Sequence, residues 1–399
     1  MAFDPENPNI RLDQAKHLGY YYAVSLFTGS VTVVLMLIIV VTSLPALRRK
    51  AYNSFYYLHL AISGLVFIGA SIHSSTNFYF LLPGLYLWTV DWIWRLCGGD
   101  YGLASCLDGT LEDAGNGWVR IRLPPATTRP SPDHASGKDD QATDDDKAIA
   151  QPLQTFYLNV PSVSKLQCHA FSAARTGSTN TGPVFLFQPT SREGKSQRKQ
   201  QKMMKREWGW KVARQASEND DAEASRVKSL RLRVEGPYCP PVHEFDTAQK
   251  IICLVGGTGV TGALSLAAWF LAHRSQDSRT SLTIIWTIRE RSMALLSEWQ
   301  VLLARSSAMS GGRMRLRSHV SSEYGRLNVM DAIEAELKDE NEPAQSSTWI
   351  YLSGPAGLLT AAKDACCDLD AELRAARERG GPSSYNVDRI SWFAARWEV

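Results

Sequence analysis

Residues Gly256 to Gly262 read Gly-Gly-Thr-Gly-Val-Thr-Gly. They follow five apolar residues, Ile251 to Val255, and precede the helix formers Ala263 to Leu271. Glycine permits a tight turn and lets bare backbone approach a ligand. A strand, a glycine turn and a helix in that order aim several N–H groups at one point, which suits a phosphate. The same text also serves an ordinary strand-to-helix connection, so its chemistry depends on its neighbours. Arg289 and Arg291 follow the apolar run Ile284 to Ile288, where they meet either a phosphate or only solvent. Glu290 between them faces the other way. A separate pair, His59 and His73, lies fourteen residues apart in apolar text. On a helix that spacing gives an angular offset of about 40° and an axial separation of about 21 Å. Neutral imidazole is an axial ligand for haem iron, and two haems stacked across a bilayer need such a separation. The other reading is two polar side chains buried between helices.

At least two kinds of element must hold these residues. No residue from Tyr21 to Leu44 is charged, and about 24 helical residues at about 1.5 Å each span about 36 Å, enough to cross a bilayer. A second apolar stretch runs from Phe55 to Ile72, and a third from Phe78 to Leu96 is interrupted by Asp91 and Arg95. Arg48, Arg49 and Lys50 put the first connection in the cytosol by the positive-inside rule. Everything after Leu96 is then cytosolic as well. The expected domains are an extracytosolic segment at 1–18, a three-helix membrane domain at 19–98, a small antiparallel barrel at 99–245 and an α/β domain at 246–399. The last should hold a parallel sheet with helices on both faces. Residues 126–150 are rich in Asp, Ser, Thr and Pro and are expected to be disordered, as is a polar insertion near 190–228. Nine Lys or Arg against two Glu between Arg192 and Arg214 form either a solvated loop or a patch drawn to the anionic leaflet.

Composition narrows the function. A net charge of +3 over 399 residues argues against a nucleic-acid partner. The seven cysteines are scattered without metal-ligand spacing and read as reduced cytosolic thiols. Cys253 and Cys366 sit in apolar text and are expected to be buried as small hydrophobes.

The order of motifs resembles that of the ferric reductase and NADPH oxidase family, in the wider ferredoxin reductase-like group. Gly236-Pro237-Tyr238, the loop Gly256 to Gly262, Trp286 to Arg289 and Ser353-Gly354-Pro355 carry the resemblance over 230–360. Arg48 to His59 resembles the family's membrane segment that bears one histidine of each haem pair. His169-Ala170-Phe171-Ser172, placed after Gln154 to Tyr157, resembles its flavin motif. The resemblance implies α-helical transmembrane segments followed by a ferredoxin reductase-like module: an antiparallel β-barrel for FAD and an α/β doubly wound domain for NADPH. It assigns Gln154, His169, Phe171 and Ser172 to FAD. It assigns Gly256, Gly257, Thr258, Gly259, Thr261, Arg289, Gly354 and Pro355 to NADPH, and His59 and His73 to haem iron. Ser172 and the closing aromatic Trp397 would act at the flavin, although Trp397 could instead pack on the sheet edge. Leu153, Ala170, Cys239 and Ser353 stand where the family has Gly, Pro, Gly and Cys. The family's partner histidines lie on an earlier helix, and only His17 stands upstream here, so fewer than two haems, or loosely held five-coordinate ones, are expected.

The implied activity passes electrons from NADPH through FAD and haem across a membrane, expected to be the plasma membrane, to a ferric chelate. Dioxygen as acceptor is one alternative. A silent subunit that docks a full-length partner chain or forms a homo-oligomer is another.

Overall fold

The computed structural model describes residues 8–50, 52–97, 106–125, 151–164, 167–175, 182–189, 207–217, 227–240, 244–274, 277, 279–308, 313–338, 346–379, 385 and 387–395. The expected disordered stretch 126–150, most of 190–228 and Trp397 lie outside these. The chain forms two compact units, Met1–Leu96 and Cys97–Glu398.

The first unit is helical: α1 (Pro8–Ser43), α2 (Pro45–Lys50), α3 (Tyr52–His73) and α4 (Ser75–Cys97). Helix α1 starts well before the apolar run, so part of the expected separate segment 1–18 is helical. Polar helix formers continue the backbone ladder without an apolar pattern to announce it. Proline begins α1 and α2, where its missing N–H costs nothing, and Pro45 also stops α1. Two stretches are long and apolar enough to cross a membrane, Tyr22–Ser43 and Phe55–His73, and nearly all of their side chains point outward. Leu26 and Phe27 are 70% and 71% exposed; moving each into lipid stabilises by about 1.5–3 kcal/mol. The expected third span does form a helix, but among the described residues it is not apolar enough to count as one. It carries Pro83 and Asp91.

Six strands build the first half of the second unit: β1 (Leu107–Gly115), β2 (Trp118–Arg122), β3 (Thr155–Asn159), β4 (His169–Ser172), β5 (Val184–Phe187) and β6 (Val227–Tyr238). All pairs are antiparallel in the order β4-β3-β6-β1-β2-β5. Asn116 and Gly117, at φ 53° and 77°, turn β1 back into β2, the conformation a twisted hairpin prefers. Arg175 bridges Val184, so the chain beyond β4 meets β5 and the sheet closes as a barrel. Ile121, Phe156, Leu158, Phe185 and Leu232 fill it.

The insertion expected to be disordered contains a helix, α5 (Trp208–Ser217), that buries Trp208, Val212 and Ala216 on the barrel core. The spacing i, i+4, i+8 makes one apolar stripe. A surrounding run of Lys and Arg hides that stripe from any average over the segment.

The second half opens with the short helix α6 (Glu244–Thr247) and alternates strand and helix. Strands β7 (Lys250–Gly256), β8 (Ser281–Ile288), β9 (Met314–Val320), β10 (Ser346–Ser353) and β11 (Val387–Ala395) pair in parallel, in the order β11-β10-β7-β8-β9. Strand β7 sends Ile251, Cys253 and Val255 into one core and Ile252 and Leu254 into the other. That is the mark of a strand covered on both faces. Cys253 and Cys366 are buried, as expected.

The two halves share an interface. Trp118 of β2 is fully buried among Trp286, Leu296 and Trp299, and its indole N–H donates to the Met293 carbonyl at 3.2 Å. Arg120 grips Glu298 with two bonds of 2.7 and 2.8 Å and also meets Ser297 and Glu112. Its partners hold the Arg120 guanidinium above its ordinary pKa against the opposing effect of burial.

Candidate functional site

Order β11-β10-β7-β8-β9 reverses direction between β7 and β10, and open α/β sheets bind ligands outside the carboxyl ends of the strands at such a point. Both glycine motifs are there. Gly257–Gly259 makes one 3₁₀ turn after β7 and leads into helix α7 (Val260–His273). No described side chain caps α7, and none caps the helix that follows β10, Ala356–Glu378. Two sets of first-turn N–H groups and two positive dipole ends therefore stand at the switch point.

The glycines do different work. Gly257 has φ 54°, and a Cβ there would meet nothing within 4 Å, so its open side is the side from which a phosphate can come. At Gly259 a Cβ would lie 2.6 Å from the Ser353 carbonyl oxygen and 2.9 Å from Ser353 Oγ. This glycine exists to let the two loops touch. Gly256 and Gly354 face each other across the same contact, with Pro355 beside them. Thr258 and Thr261 are tied by a bond from Thr261 Oγ1 to the Thr258 carbonyl at 3.2 Å. Trp286 reaches over from β8 and donates its indole N–H to the Gly257 carbonyl at 2.9 Å. The residues assigned to NADPH at 256–261 and 354–355 are thus brought together. Arg289 stands one residue beyond the end of β8.

The four residues assigned to FAD are not on one surface. Consecutive strand residues point to opposite faces. Register pairs His169 with Leu158 and Phe171 with Phe156, whose side chains fill the barrel. His169 lies 4.5 Å from the Trp208 ring and Phe171 5.7 Å from it. Both therefore pack under α5. The other face carries Ser172 opposite Thr155, with Tyr157 and Tyr238 beside them at 39% and 43% exposure and 5.7 Å between rings. Two exposed rings offer a flat face there, and the Ser172 and Thr155 residues beside them are buried at 9% and 8% exposure; His169 and Phe171 stand on the opposite face. Gln154 contributes its carbonyl, which accepts from the Ala173 N–H at 2.9 Å. The period-2 alternation of Thr155-Phe156-Tyr157 was the signal for Tyr157.

Leu153 takes φ 63°, a conformation that favours glycine, which accounts for the family's preference there. Its N–H donates to Ser265 Oγ of α7 at 3.1 Å, and its side chain enters the core beside Val255 and Leu266. Burial offsets the strain.

His169 Nε2 is buried without a hydrogen-bond partner among the described residues. Burial holds the imidazole down to a pKa of about 4. The folded value lies below the unfolded one, so the unfolded chain binds more protons between about pH 6.5 and 4. Stability present above that window is lost as pH falls through it, by up to about 3 kcal/mol. His169→Phe is expected to flatten this part of the stability-against-pH curve in urea melts; an unchanged slope would mean the ring is wet.

In the helical unit, His59 and His73 leave α3 on one face, as their spacing predicts, and that face meets α1. His73 Nδ1 lies 2.7 Å from the Ser25 carbonyl and His59 Nδ1 3.4 Å from Ser43 Oγ. A proton on His73 Nδ1 donated to that carbonyl leaves the Nε2 lone pair for a metal, the usual way a protein orients a ligating imidazole. Gly29 makes room for the ring: a Cβ there would be 2.7 Å from His73 Cε1.

Residues 9–70, which span α1 and most of α3 with His59, match the family described as ferric reductase like transmembrane component. Ferric reduction oxidase 2 of Arabidopsis thaliana is 26% identical over 257 residues, covering 64% of this chain and 30% of the relative. Over its helical unit the chain is similar to the ferric reductases.

Ferric reduction oxidase 3, mitochondrial, of the same plant is 23% identical over 83% of the chain and 41% of its own length. A probable ferric reductase transmembrane component of Candida albicans is 21% identical over 66% and 33%. The chain spans about a third of the length of the curated relatives it matches. Two similar solved structures are a ferredoxin-NADP+ reductase from Plasmodium falciparum (TM-score 0.43, 10% identical, 74% of this chain and 99% of that one) and a flavohemoglobin from Malassezia yamatoensis (TM-score 0.41, 14%, 87% and 75%). Likenesses below 0.5 decide nothing, and the ferredoxin reductase-like fold assignment rests on the strand order of the second unit. The chain's two apolar helices and the transmembrane match make it a membrane protein.

Proposed function

We propose that this chain is a membrane-bound oxidoreductase that draws electrons from NADPH and delivers them to ferric iron. The nucleotide enters at the switch point between β7 and β10, where the uncapped N-terminus of α7 and the open side of Gly257 receive its phosphates. That geometry, on a chain whose membrane helices carry the family match, is the observation behind the reading. FAD, when bound, converts a two-electron hydride donor into a one-electron source, and haem carries single electrons across the bilayer. The net reaction consumes one NADPH and two ferric ions and yields NADP+, two ferrous ions and a proton. Tyr157 and Tyr238 offer ring contacts on the outer barrel face and exclude water there, with the buried Ser172 and Thr155 beside them. His59 and His73 are the haem ligands of this reading. The module faces the cytosol, where NADPH is available, and the plasma membrane is the proposed site.

The decisive experiment measures NADPH oxidation by the chain in detergent with a soluble electron acceptor, then with a ferric chelate. Oxidation that yields superoxide instead of ferrous iron would make dioxygen the acceptor. No oxidation with any acceptor would leave a docking subunit for a partner chain, a reading favoured by the inward placement of His169 and Phe171. NADPH is expected to be preferred over NADH through Arg289. A charge-assisted hydrogen bond to the 2′-phosphate contributes about 1.5–3 kcal/mol, or roughly ten- to a hundredfold in selectivity. Equal efficiency with both nucleotides, unmoved by Arg289→Ala, would remove that arginine from the site.

A further inference from the structure

Strands β8 and β9 end side by side at Ile288 and Val320. The segments beyond them are tied together: Ser321 Oγ donates to the Ile288 carbonyl at 3.0 Å, and the Ser322 N–H to the Arg289 carbonyl at 3.2 Å. These bonds lay the turn Ser321–Tyr324 along Arg289 to Arg291. Arg291 then closes on Glu323 with two bonds, Nε to Oε1 at 3.2 Å and Nη2 to Oε2 at 2.7 Å. Both side chains are exposed. In a doubly wound domain the end of the strand beside the glycine-loop strand is where the ribose 2′ substituent lies. A carboxylate there accepts a 2′-hydroxyl, and an arginine there takes a 2′-phosphate. Here the two opposed chemistries stand in one pair. The guanidinium edge that Glu323 fills is the fork that a phosphate would take in the same bidentate way.

We propose that Glu323 is a specificity-determining residue: its carboxylate occupies the Arg291 fork as an internal stand-in for the 2′-phosphate and so narrows the preference for 2′-phosphorylated nucleotides. The proposal rests on the NADPH reading of the glycine-loop site and assigns to that site a built-in competitor. An exposed ion pair is weak and salt-screened, so an arriving dianion can displace the carboxylate, but at a cost in affinity.

The test is calorimetric titration of 2′-phospho-AMP and of AMP onto the full chain in detergent, for the wild type, Glu323→Gln, Glu323→Ala, Arg291→Ala and the Arg291→Ala/Glu323→Gln double variant. Both glutamate variants are expected to raise the 2′-phospho-AMP to AMP affinity ratio by about threefold to tenfold at low salt, and less at high salt. Arg291→Ala should lower the ratio and abolish the gain from Glu323→Gln. A ratio unchanged or lowered in both glutamate variants overturns the proposal, because the carboxylate would then be idle or would be holding Arg291 in the productive pose. A wild type that binds both nucleotides with that outcome spares the NADPH reading. A wild type that binds neither sinks the reading and the proposal together.

Discussion

Gly257→Val is expected to weaken binding of 2′-phospho-AMP or NADP+ by at least about tenfold while the fold survives, whereas Gly259→Val damages the fold itself. A side chain at Gly257 would project into open space, the space assigned here to a phosphate. The left-handed conformation at φ 54° adds roughly 1–2 kcal/mol for a residue with a Cβ. At Gly259 the new Cβ would lie 2.6 Å from the backbone oxygen of Ser353. Backbone cannot step aside as a flexible side chain can, so the loops after β7 and β10 must part; overpacking of this kind costs about 1–3 kcal/mol or more. Thermal melts and nucleotide titration on both variants separate the two effects. Normal binding by Gly257→Val would remove the phosphate from that side of the loop.

A second large effect is expected at the other end of the same sheet. Glu336 is 1% exposed and receives Arg315 and Arg317 at 3.0 Å each and the Thr283 hydroxyl at 3.0 Å. Lys250, also 1% exposed, donates its ammonium to the Glu336 carbonyl. Glu336→Gln removes the anion and leaves the cations around it, which typically costs about 3–5 kcal/mol for a buried pair. Arg317 is half exposed, so the lower end, about 3 kcal/mol, is expected. That corresponds to a fall in melting temperature of roughly 6–12 °C for a unit of this size. Nucleotide affinity should not change, because these groups gather at the amino ends of the parallel strands. A melting temperature within a degree of wild type would show the network to be solvated. A loss of nucleotide affinity without a loss of stability would place Glu336 in the site.

Glycine loop, membrane helices and strand-helix alternation were legible because each depends on residues adjacent in the chain. Five apolar residues before glycines read as a buried strand, and a charge-free run of two dozen residues makes a helix long enough to span a bilayer. The offset of His59 and His73 follows from the helical repeat alone. Helix α5 was hidden for a related reason: its stripe of Trp208, Val212 and Ala216 is short, and the flanking lysines and arginines outweigh it in any window.

What the chain order left open was decided by contacts between distant residues. Whether His169 and Phe171 face a flavin or the barrel core depends on which face of β4 meets β3 and α5, because a strand offers two faces with equal ease. Tertiary packing put Trp208, some forty residues on, against that motif and left Tyr157 and Tyr238 outside. The meeting of His73 with Ser25, the grip of Arg120 on Glu298 and the pairing of Arg291 with Glu323 follow the same logic. Residue types and local spacing determined which chemistry this chain can hold. Only the fold decided which charges are already spoken for, since a charge's partner is set by proximity in space and not along the chain.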